Sequence, residues 1–252
     1  MSGHNKWSNI QHRKGAQDAK RSKVFTKVIR ELMVAAREGG SDPDTNAKLK
    51  TVIERAKAAN MPKDTMEKAI KKGAGELEGV IYEEAMYEAY APAGVALMIR
   101  VLTDNKNRTA QEVKHTLSKY GGSLASPGSV AFNFERKGLI TVPISEISDI
   151  EEFEMLAIDA GAEDFNEDTD PFEIIVSPET VSDVKSNLED AGYSTSAVLA
   201  YLPKSTSVVT GPDVVKVLKL VNYLEDNDDV QEIFANFDIS DEEMEKAMDE
   251  LG

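Results

Sequence analysis

Cysteine is absent from this chain of 252 residues, which excludes disulfide bonds and thiolate metal sites. Histidine is scarce, since only His4, His12 and His115 occur, and they are too scattered to predict a zinc site. The longest apolar run, residues 95–99, is much shorter than the roughly 20 residues of a membrane-spanning helix. The N-terminus also lacks the apolar segment of a secretory signal. We therefore expect a cytoplasmic protein that does not bind membranes.

The motifs of common enzyme classes are missing too. There is no G-x-S-x-G, P-loop or H-E-x-x-H sequence, and the glycine-rich residues 73–79 do not have the spacing of a dinucleotide fingerprint. Asp164, Asn166, Asp168 and Asp170 alternate as in a calcium loop, but the glycine and the final glutamate of that motif are replaced. We expect no enzyme, metal or cofactor. A hydrolase that uses scattered carboxylates is the alternative.

The net charge of −16 is distributed unevenly along the chain. Residues 1–75 contain 17 Lys and Arg against 8 Asp and Glu, a net charge of +9. The remaining residues contain 12 against 37, a net charge of −25. Although the pI of 4.7 argues against nucleic-acid binding, the charge of the individual domain decides this question.

The most informative stretch is residues 6–37, which predicts a basic arm followed by an amphipathic helix. At 100° per residue one face of this helix is apolar, with Val24, Phe25, Val28, Ile29, Leu32 and Ala36. The opposite face is cationic, with Lys20, Lys23, Lys27, Arg30 and Arg37. Glu31 and Glu38 are the only acids near this face, so the partners of an ordinary solvated helix are mostly missing. This favours phosphate binding over a solvated lysine face.

Eleven residues are the predicted nucleic-acid contacts: Lys6, His12, Arg13, Lys14, Lys20, Arg21, Lys23, Lys27, Arg30, Lys71 and Lys72. Most are lysines, which act as point charges on phosphate and read little base sequence. Duplex DNA and ribosomal RNA are therefore both open as targets. Trp7 is interpreted either as a base-stacking platform or, preferably, as an anchor for the arm.

A second candidate phosphate site is Lys106, Asn107 and Arg108, at the predicted start of a helix. In the alternative interpretation, Arg108 pairs with a carboxylate of its own acidic domain. Thr109 and Glu112 have the spacing of a capping box and predict the start of that helix.

The order of predicted elements indicates an α+β protein of three domains. Residues 1–79 form a three-helix domain, residues 138–203 read as a βαββαβ, ferredoxin-like unit, and residues 80–137 with 204–252 form a middle α+β domain that contains this unit as an insertion. We expect residues 207–210, a helix over 212–224 and a strand over 230–237 to complete the middle sheet. A short acidic helix follows from Ser240.

The sequence resembles the YebC/PmpR family. The resemblance lies in GHNKWSNIQHRKGAQDAKRSKVFTKVIRELMVAAREGGSDP, NMPKDTMEKAIKKG, YEAYAPAGVALMI, DNKNRT and GGSLASPGSVAF, and so covers most of the chain. Ala89, Ala91 and Ala93 stand where the family pattern YEGYGPGG has glycines. The family comprises bacterial proteins described as DNA-binding transcriptional regulators and as ribosome-associated translation factors, with a mitochondrial relative that activates translation.

The resemblance implies a three-domain fold and a non-enzymatic role in gene expression, with transcription regulation as the leading hypothesis and translation regulation as the alternative. We expect a monomer that meets nucleic acid end-on, because the acidic domains would be repelled by phosphates. The acidic domains are then free to meet the ribosome or a cationic protein surface. In an alternative of another class, the acidic α+β body is itself the interaction module and the basic domain is its internal counterion.

Overall fold

The N-terminal part of the chain forms three helices. The computed structural model describes the backbone of residues 17–167 and 169–251, and side chains from residue 22 onward. The helices are α1 (Gln17–Gly39), α2 (Ala47–Ala58) and α3 (Lys63–Gly73). The predicted apolar stripe of α1 lies in their common core, where Val28, Leu32 and Ala36 are buried. Val24 is the exception, with 39% of its surface exposed.

Polar capping defines the turn between α1 and α2. Asn46 caps α2 by accepting a hydrogen bond from the Leu49 amide, and its side-chain amide donates to the carbonyls of Ala35 and Gly40. Gly40 has a φ of +89°, a conformation that glycine adopts without strain. This turn lets α2 fold back onto the apolar face of α1.

The middle domain is built on an antiparallel sheet. Its strands are β1 (Glu83–Tyr90), β2 (Ala96–Thr103), β3 (Ser123–Leu124) and β9 (Val230–Ala235), in the order β3-β1-β2-β9. Three helices belong to this domain: α4 (Lys106–Lys119), α7 (Pro212–Glu225) and α8 (Asp241–Leu251). Residues of the strands and of all three helices share one buried apolar cluster.

Helix α4 begins earlier than predicted. Its N-cap is Asn105, whose side chain accepts a hydrogen bond from the Arg108 amide. Thr109 is not a capping residue but lies fully buried one turn into the helix. The capping-box prediction was therefore wrong, because the Asx cap three residues before Arg108 takes its place.

The inserted domain has the predicted βαββαβ order. Its strands are β4 (Phe134–Val142), β5 (Asp164–Asn166), β6 (Phe172–Val176) and β7 (Ser196–Pro203), and its helices are α5 (Ile150–Ala160) and α6 (Val181–Asp190). The antiparallel order β5-β6-β4-β7 is that of a ferredoxin-like sheet. Strand β4 starts before residue 138, so the sheet of this unit reaches further toward the N-terminus than the predicted boundary.

Strand β8 does not join the middle sheet as expected. Strand β8 (Ser207–Val208) pairs in parallel with strand β10 (Phe237–Asp238), and the two form a separate sheet. The predicted strand over residues 230–237 is thus divided into β9 and β10, with the buried Asn236 between them. The α+β fold class is confirmed. Within the described ranges, no helix is long and apolar enough to cross a membrane.

Candidate nucleic-acid interface

The cationic face of α1 is directed toward the middle domain at its central residues. The Lys23 ammonium lies 2.5 Å from a carboxylate oxygen of Asp226, and both side chains remain about half exposed. One turn later, the Lys27 ammonium donates to the main-chain carbonyl of Glu225 at 2.9 Å. Burial lowers the pKa of Lys27, although the nearby carboxylates of Glu225, Asp228 and Asp226 oppose this effect.

Arg30 of this face is largely enclosed, with 13% of its side chain exposed. Its Nη1 donates to the Asp229 carboxylate at 2.5 Å and to the carbonyls of Asp228 at 2.6 Å and Leu102 at 3.2 Å. The guanidinium also lies over the Tyr82 ring, 5.0 Å from its centroid. Arg30 is therefore a contact between the helical and middle domains in this structure.

The Asp229 carboxylate accepts hydrogen bonds from three side chains of two helices, α1 and α4, and the Asp229 side chain is 5% exposed. Besides Arg30, its carboxylate accepts hydrogen bonds from Nη2 of Arg108 at 2.9 Å and from the Thr109 hydroxyl at 2.5 Å. Burial alone would raise the pKa of Asp229, but the hydrogen bonds from Thr109, Arg108 and Arg30 outweigh it and lower the pKa. A buried carboxylate with these donors is charged at neutral pH.

The second candidate phosphate site lies in this acidic surrounding. Arg108 binds Asp104 at 2.8 Å as well as Asp229, and these carboxylates raise its pKa. Lys106 pairs with Glu83 at 2.7 Å, and Asn107 is exposed in the first turn of α4. The arrangement of Arg108 is the one expected if it pairs within its own domain.

A second ionic bridge links the same two domains. Glu31, buried on α1, binds Arg55 of α2 at 2.7 Å and Arg100 of β2 at 2.9 Å. Arg100 also binds Glu232 of β9 at 2.8 Å. Glu31 therefore connects its own domain to the middle sheet.

Sequence reasoning missed the partners of the cationic face. The signal was present in residues 225–229, Glu-Asp-Asn-Asp-Asp, a run of acids that directly follows an apolar helix. The negative charge of this run complements the positive charge of the α1 face, but acidic runs occur throughout residues 76–252. Only the fold shows which of them meets α1.

Three cations at the other end of α1 remain open to solvent. Arg37, Lys71 and Lys72 are exposed, and no carboxylate of the described residues lies within ion-pair distance of them. Arg37 and Lys72 line an open groove of about 690 Å³, whose lining also includes Glu76 and Glu78 of the segment after α3. We call Arg37, Lys71 and Lys72 the open cationic patch.

The close approach of α1 and α3 at this patch depends on Gly73. A Cβ atom at this position would lie 2.2 Å from the Met33 carbonyl oxygen, which is impossible without a shift of the backbone. Gly73 therefore fixes how near Lys71 and Lys72 come to α1, a role that the sequence analysis did not identify.

Several predicted contacts lie outside the part of the chain that the structure describes: Lys6, His12, Arg13 and Lys14, together with Trp7. Lys20 and Arg21 lie in α1, but their side chains are outside the described set. These residues stay predictions.

The negative charge is concentrated in the inserted domain. Residues 138–203 contain 1 Lys against 16 Asp and Glu, a net charge of −15. Phosphates would be repelled by this domain and attracted by the helical domain. Among the side chains that are described, no group of three or more His, Asp and Glu has an arrangement suited to a metal ion.

Comparisons with known proteins match nearly the whole chain. The model of the TACO1/YebC protein N-terminal domain matches residues 5–76, and the model of the TACO1/YebC second and third domain matches residues 82–237. A probable transcriptional regulatory protein of Kosmotoga olearia is 67% identical over the full length of both chains. Another, from Thermosipho melanesiensis, is 65% identical over all of this chain and 99% of its own.

A solved structure shares the fold. The crystal structure of a conserved hypothetical protein from Aquifex aeolicus superposes with a TM-score of 0.83 at 48% sequence identity, covering 90% of this chain and 94% of the other. The resemblance seen in the sequence is thereby confirmed. The chain belongs to the TACO1/YebC family, whose similar members include proteins named probable transcriptional regulatory proteins.

Proposed function

We propose that this protein is a non-enzymatic regulator of gene expression whose helical domain binds the phosphate backbone of nucleic acid. The observation that carries the proposal is the open cationic patch, three exposed cations without carboxylate partners in the described structure. Residues 1–16, which lie outside the described part of the chain, add Lys6, Arg13 and Lys14 and contain no Asp or Glu. Relatives named as probable transcriptional regulatory proteins support a role in gene expression.

The chemistry of the patch favours backbone contacts over base contacts. Two of its three cations are lysines, whose ammonium groups bind phosphate without the two-pronged geometry that reads guanine. No asparagine or glutamine accompanies them in the patch. Binding of this kind distinguishes sequences poorly, so any selectivity must come from the shape of the nucleic acid or from a partner protein.

Duplex DNA is the target that the names of the relatives favour, and it is our first candidate. Weak sequence readout instead favours a structured RNA that is recognised by shape, such as ribosomal RNA. Competition between duplex DNA and ribosomes for one labelled protein distinguishes the two. If ribosomes win by orders of magnitude at physiological salt, transcription is not the main role.

The acidic inserted domain is the part of the molecule that we propose to face proteins. Its net charge of −15 suits a cationic protein surface, such as one on the ribosome. Because phosphates would repel the inserted domain, we also expect the helical domain to approach nucleic acid end-on.

The proposed function is tested by charge reversal at the open cationic patch. Lys71→Glu with Lys72→Glu should weaken binding of a short mixed-sequence duplex DNA or duplex RNA at least tenfold, because two phosphate contacts become repulsive. The matched control is Lys114→Glu with Lys204→Glu, two exposed lysines of the acidic part with the same change in net charge. Equal losses in the two variants would contradict a localised interface.

A further inference from the structure

The two interfaces of the middle domain are of different kinds. The apolar core of the helical domain contains residues of α1 to α3 and Tyr82, and the core of the middle domain contains no residue of 22–79. In contrast, Met98 of the middle sheet packs with Phe134 and Tyr201 of the inserted domain. The helical domain is thus held to the rest largely by charged groups, an interface that salt and competing ions weaken.

The segment that holds α1 is residues 225–229, which we call the acidic loop. It presents oxygen acceptors to three successive cations of the helix: the Asp226 carboxylate to Lys23, the Glu225 carbonyl to Lys27, and the Asp228 carbonyl and Asp229 carboxylate to Arg30. Glu225 is also the last residue of α7, where the helix dipole adds negative potential. The acidic loop thus offers α1 a row of oxygen acceptors with negative charge, as a short stretch of phosphate backbone would.

Separation of the two domains would leave the two enclosed ionic groups of the middle domain, Asp229 and Arg100, with partners in their own domain. Asp229 would keep Arg108 and Thr109, and Arg100 would keep Glu232. Glu31 would likewise keep Arg55 within the helical domain.

The cations of α1, in contrast, would lose their ionic partners if the two domains separated. Lys23, Lys27 and Arg30 find their ionic partners, as far as the described residues show, in the acidic loop alone. They are the groups that a new polyanion would have to satisfy.

The connection between the domains allows such a separation. Residues 74–82 link α3 to β1 without helix or strand, and Gly75 within them has a φ of +81°. We infer that the acidic loop competes with nucleic acid for the cationic face of α1, and that phosphate binding displaces the loop as the helical domain turns about residues 74–82. This inference rests on the proposed function and adds a closed state in which the acidic loop occupies Lys27 and Arg30 while the open cationic patch stays accessible.

Competition has a measurable consequence for affinity. Because the α1 face binds phosphate only in the open state, the affinity of the whole protein is reduced by the fraction of molecules that are closed. Substitutions in the acidic loop that weaken its contact with α1, while α1 itself is unchanged, should therefore strengthen the binding of nucleic acid. This is the reverse of what is expected for a residue that supports a binding surface.

The first test compares two pairs of neutralised acids in the full chain. Asp226→Asn with Asp228→Asn removes charge from exposed positions of the loop, and Asp183→Asn with Asp190→Asn removes the same charge from exposed positions of α6. With a short mixed-sequence duplex DNA and a duplex RNA of equal length as probes, the loop variant should bind at least about fivefold more tightly than the α6 variant. Equal affinities of the two variants would overturn the inference.

The second test observes the opening itself. The chain has no cysteine, so Lys57→Cys on α2 and His115→Cys on α4, both exposed, place spin labels on the two domains without removal of native thiols. Binding of the duplex DNA should shift the distribution of distances between the two labels to longer and broader values. In the loop variant without DNA, we expect a smaller shift in the same direction.

The outcomes separate the two claims. Tight DNA binding with unchanged label distances overturns the inference alone, since the open cationic patch then suffices. If neither probe binds the wild type or the loop variant, the proposed function fails and the competition fails with it. Longer distances in the loop variant without DNA, together with its tighter binding, support the inference.

Discussion

Arg30 and Asp229 are separated by 199 positions in the chain, yet Nη1 of the first lies 2.5 Å from a carboxylate oxygen of the second. This ion pair joins the basic helical domain to the acidic middle domain. The predicted cationic surface of α1 therefore has a section that contacts the middle domain, Lys23 to Arg30, and an exposed end at Arg37, which belongs to the open cationic patch. The charge separation that is obvious in the sequence is thus partly neutralised within the fold.

Loss of the Asp229 charge should destabilise the protein. Asp229→Asn leaves Arg30 and Arg108 without their shared buried partner, and breaking such a pair typically costs about 3 kcal/mol of unfolding free energy. Asp228→Asn is the matched control, because its side chain is exposed and Arg30 uses only its backbone carbonyl. We expect a change below about 0.5 kcal/mol for the control in urea unfolding. Similar values for the two variants would contradict a central role of Asp229.

The same carboxylate predicts a pH dependence. Because its folded-state pKa lies below the ordinary value of 3.8, Asp229 contributes stability that is fully present above that value and is lost as the pH falls through the folded-state pKa. The stability difference between wild type and Asp229→Asn should therefore be constant near neutral pH and shrink below about pH 4. Unfolding curves over this acid range measure it. A stability difference between the two proteins that grows as the pH falls would contradict a lowered pKa of Asp229 in the folded state.

Ala93 is expected to be less favourable than glycine. It has a φ of +59° in the turn between β1 and β2, where the family pattern has glycine, and an L-residue in this region is strained. Ala93→Gly should raise the unfolding free energy by about 0.5–1 kcal/mol, since relief of strain exceeds the added chain entropy. Ala89→Gly, at a buried strand position of the same segment, should instead lower it. Thermal unfolding of the two variants provides the comparison.

Local patterns of the sequence predicted much of the fold. The 3.6-residue apolar stripe of α1 depends on residues close together in the chain, and the structure places Val28 and Leu32 in the core as predicted. Short strands were harder, because Ser207–Val208 has no intrinsic feature that selects β10 over the middle sheet as its partner.

The candidate interface was less accessible to sequence reasoning. The cations themselves could be identified, but whether Lys27 and Arg30 face solvent depends on the position of residues far along the chain. A charge run specifies the sign of its partner and not its identity. The Asp229 cluster shows this most clearly, since Thr109 and Arg108 reach the same carboxylate as Arg30 from another element.

The salt dependence of binding tests the central claim most directly. If the full-length protein neutralises about six phosphates, the logarithm of its affinity for duplex DNA should fall with the logarithm of salt concentration with a slope near about −5, a loss of roughly a thousandfold between about 50 and 200 mM. A fluorescence titration at several salt concentrations measures this slope. A slope shallower than about −2, or no binding at low salt, would contradict the account that the basic helical domain binds the nucleic-acid backbone.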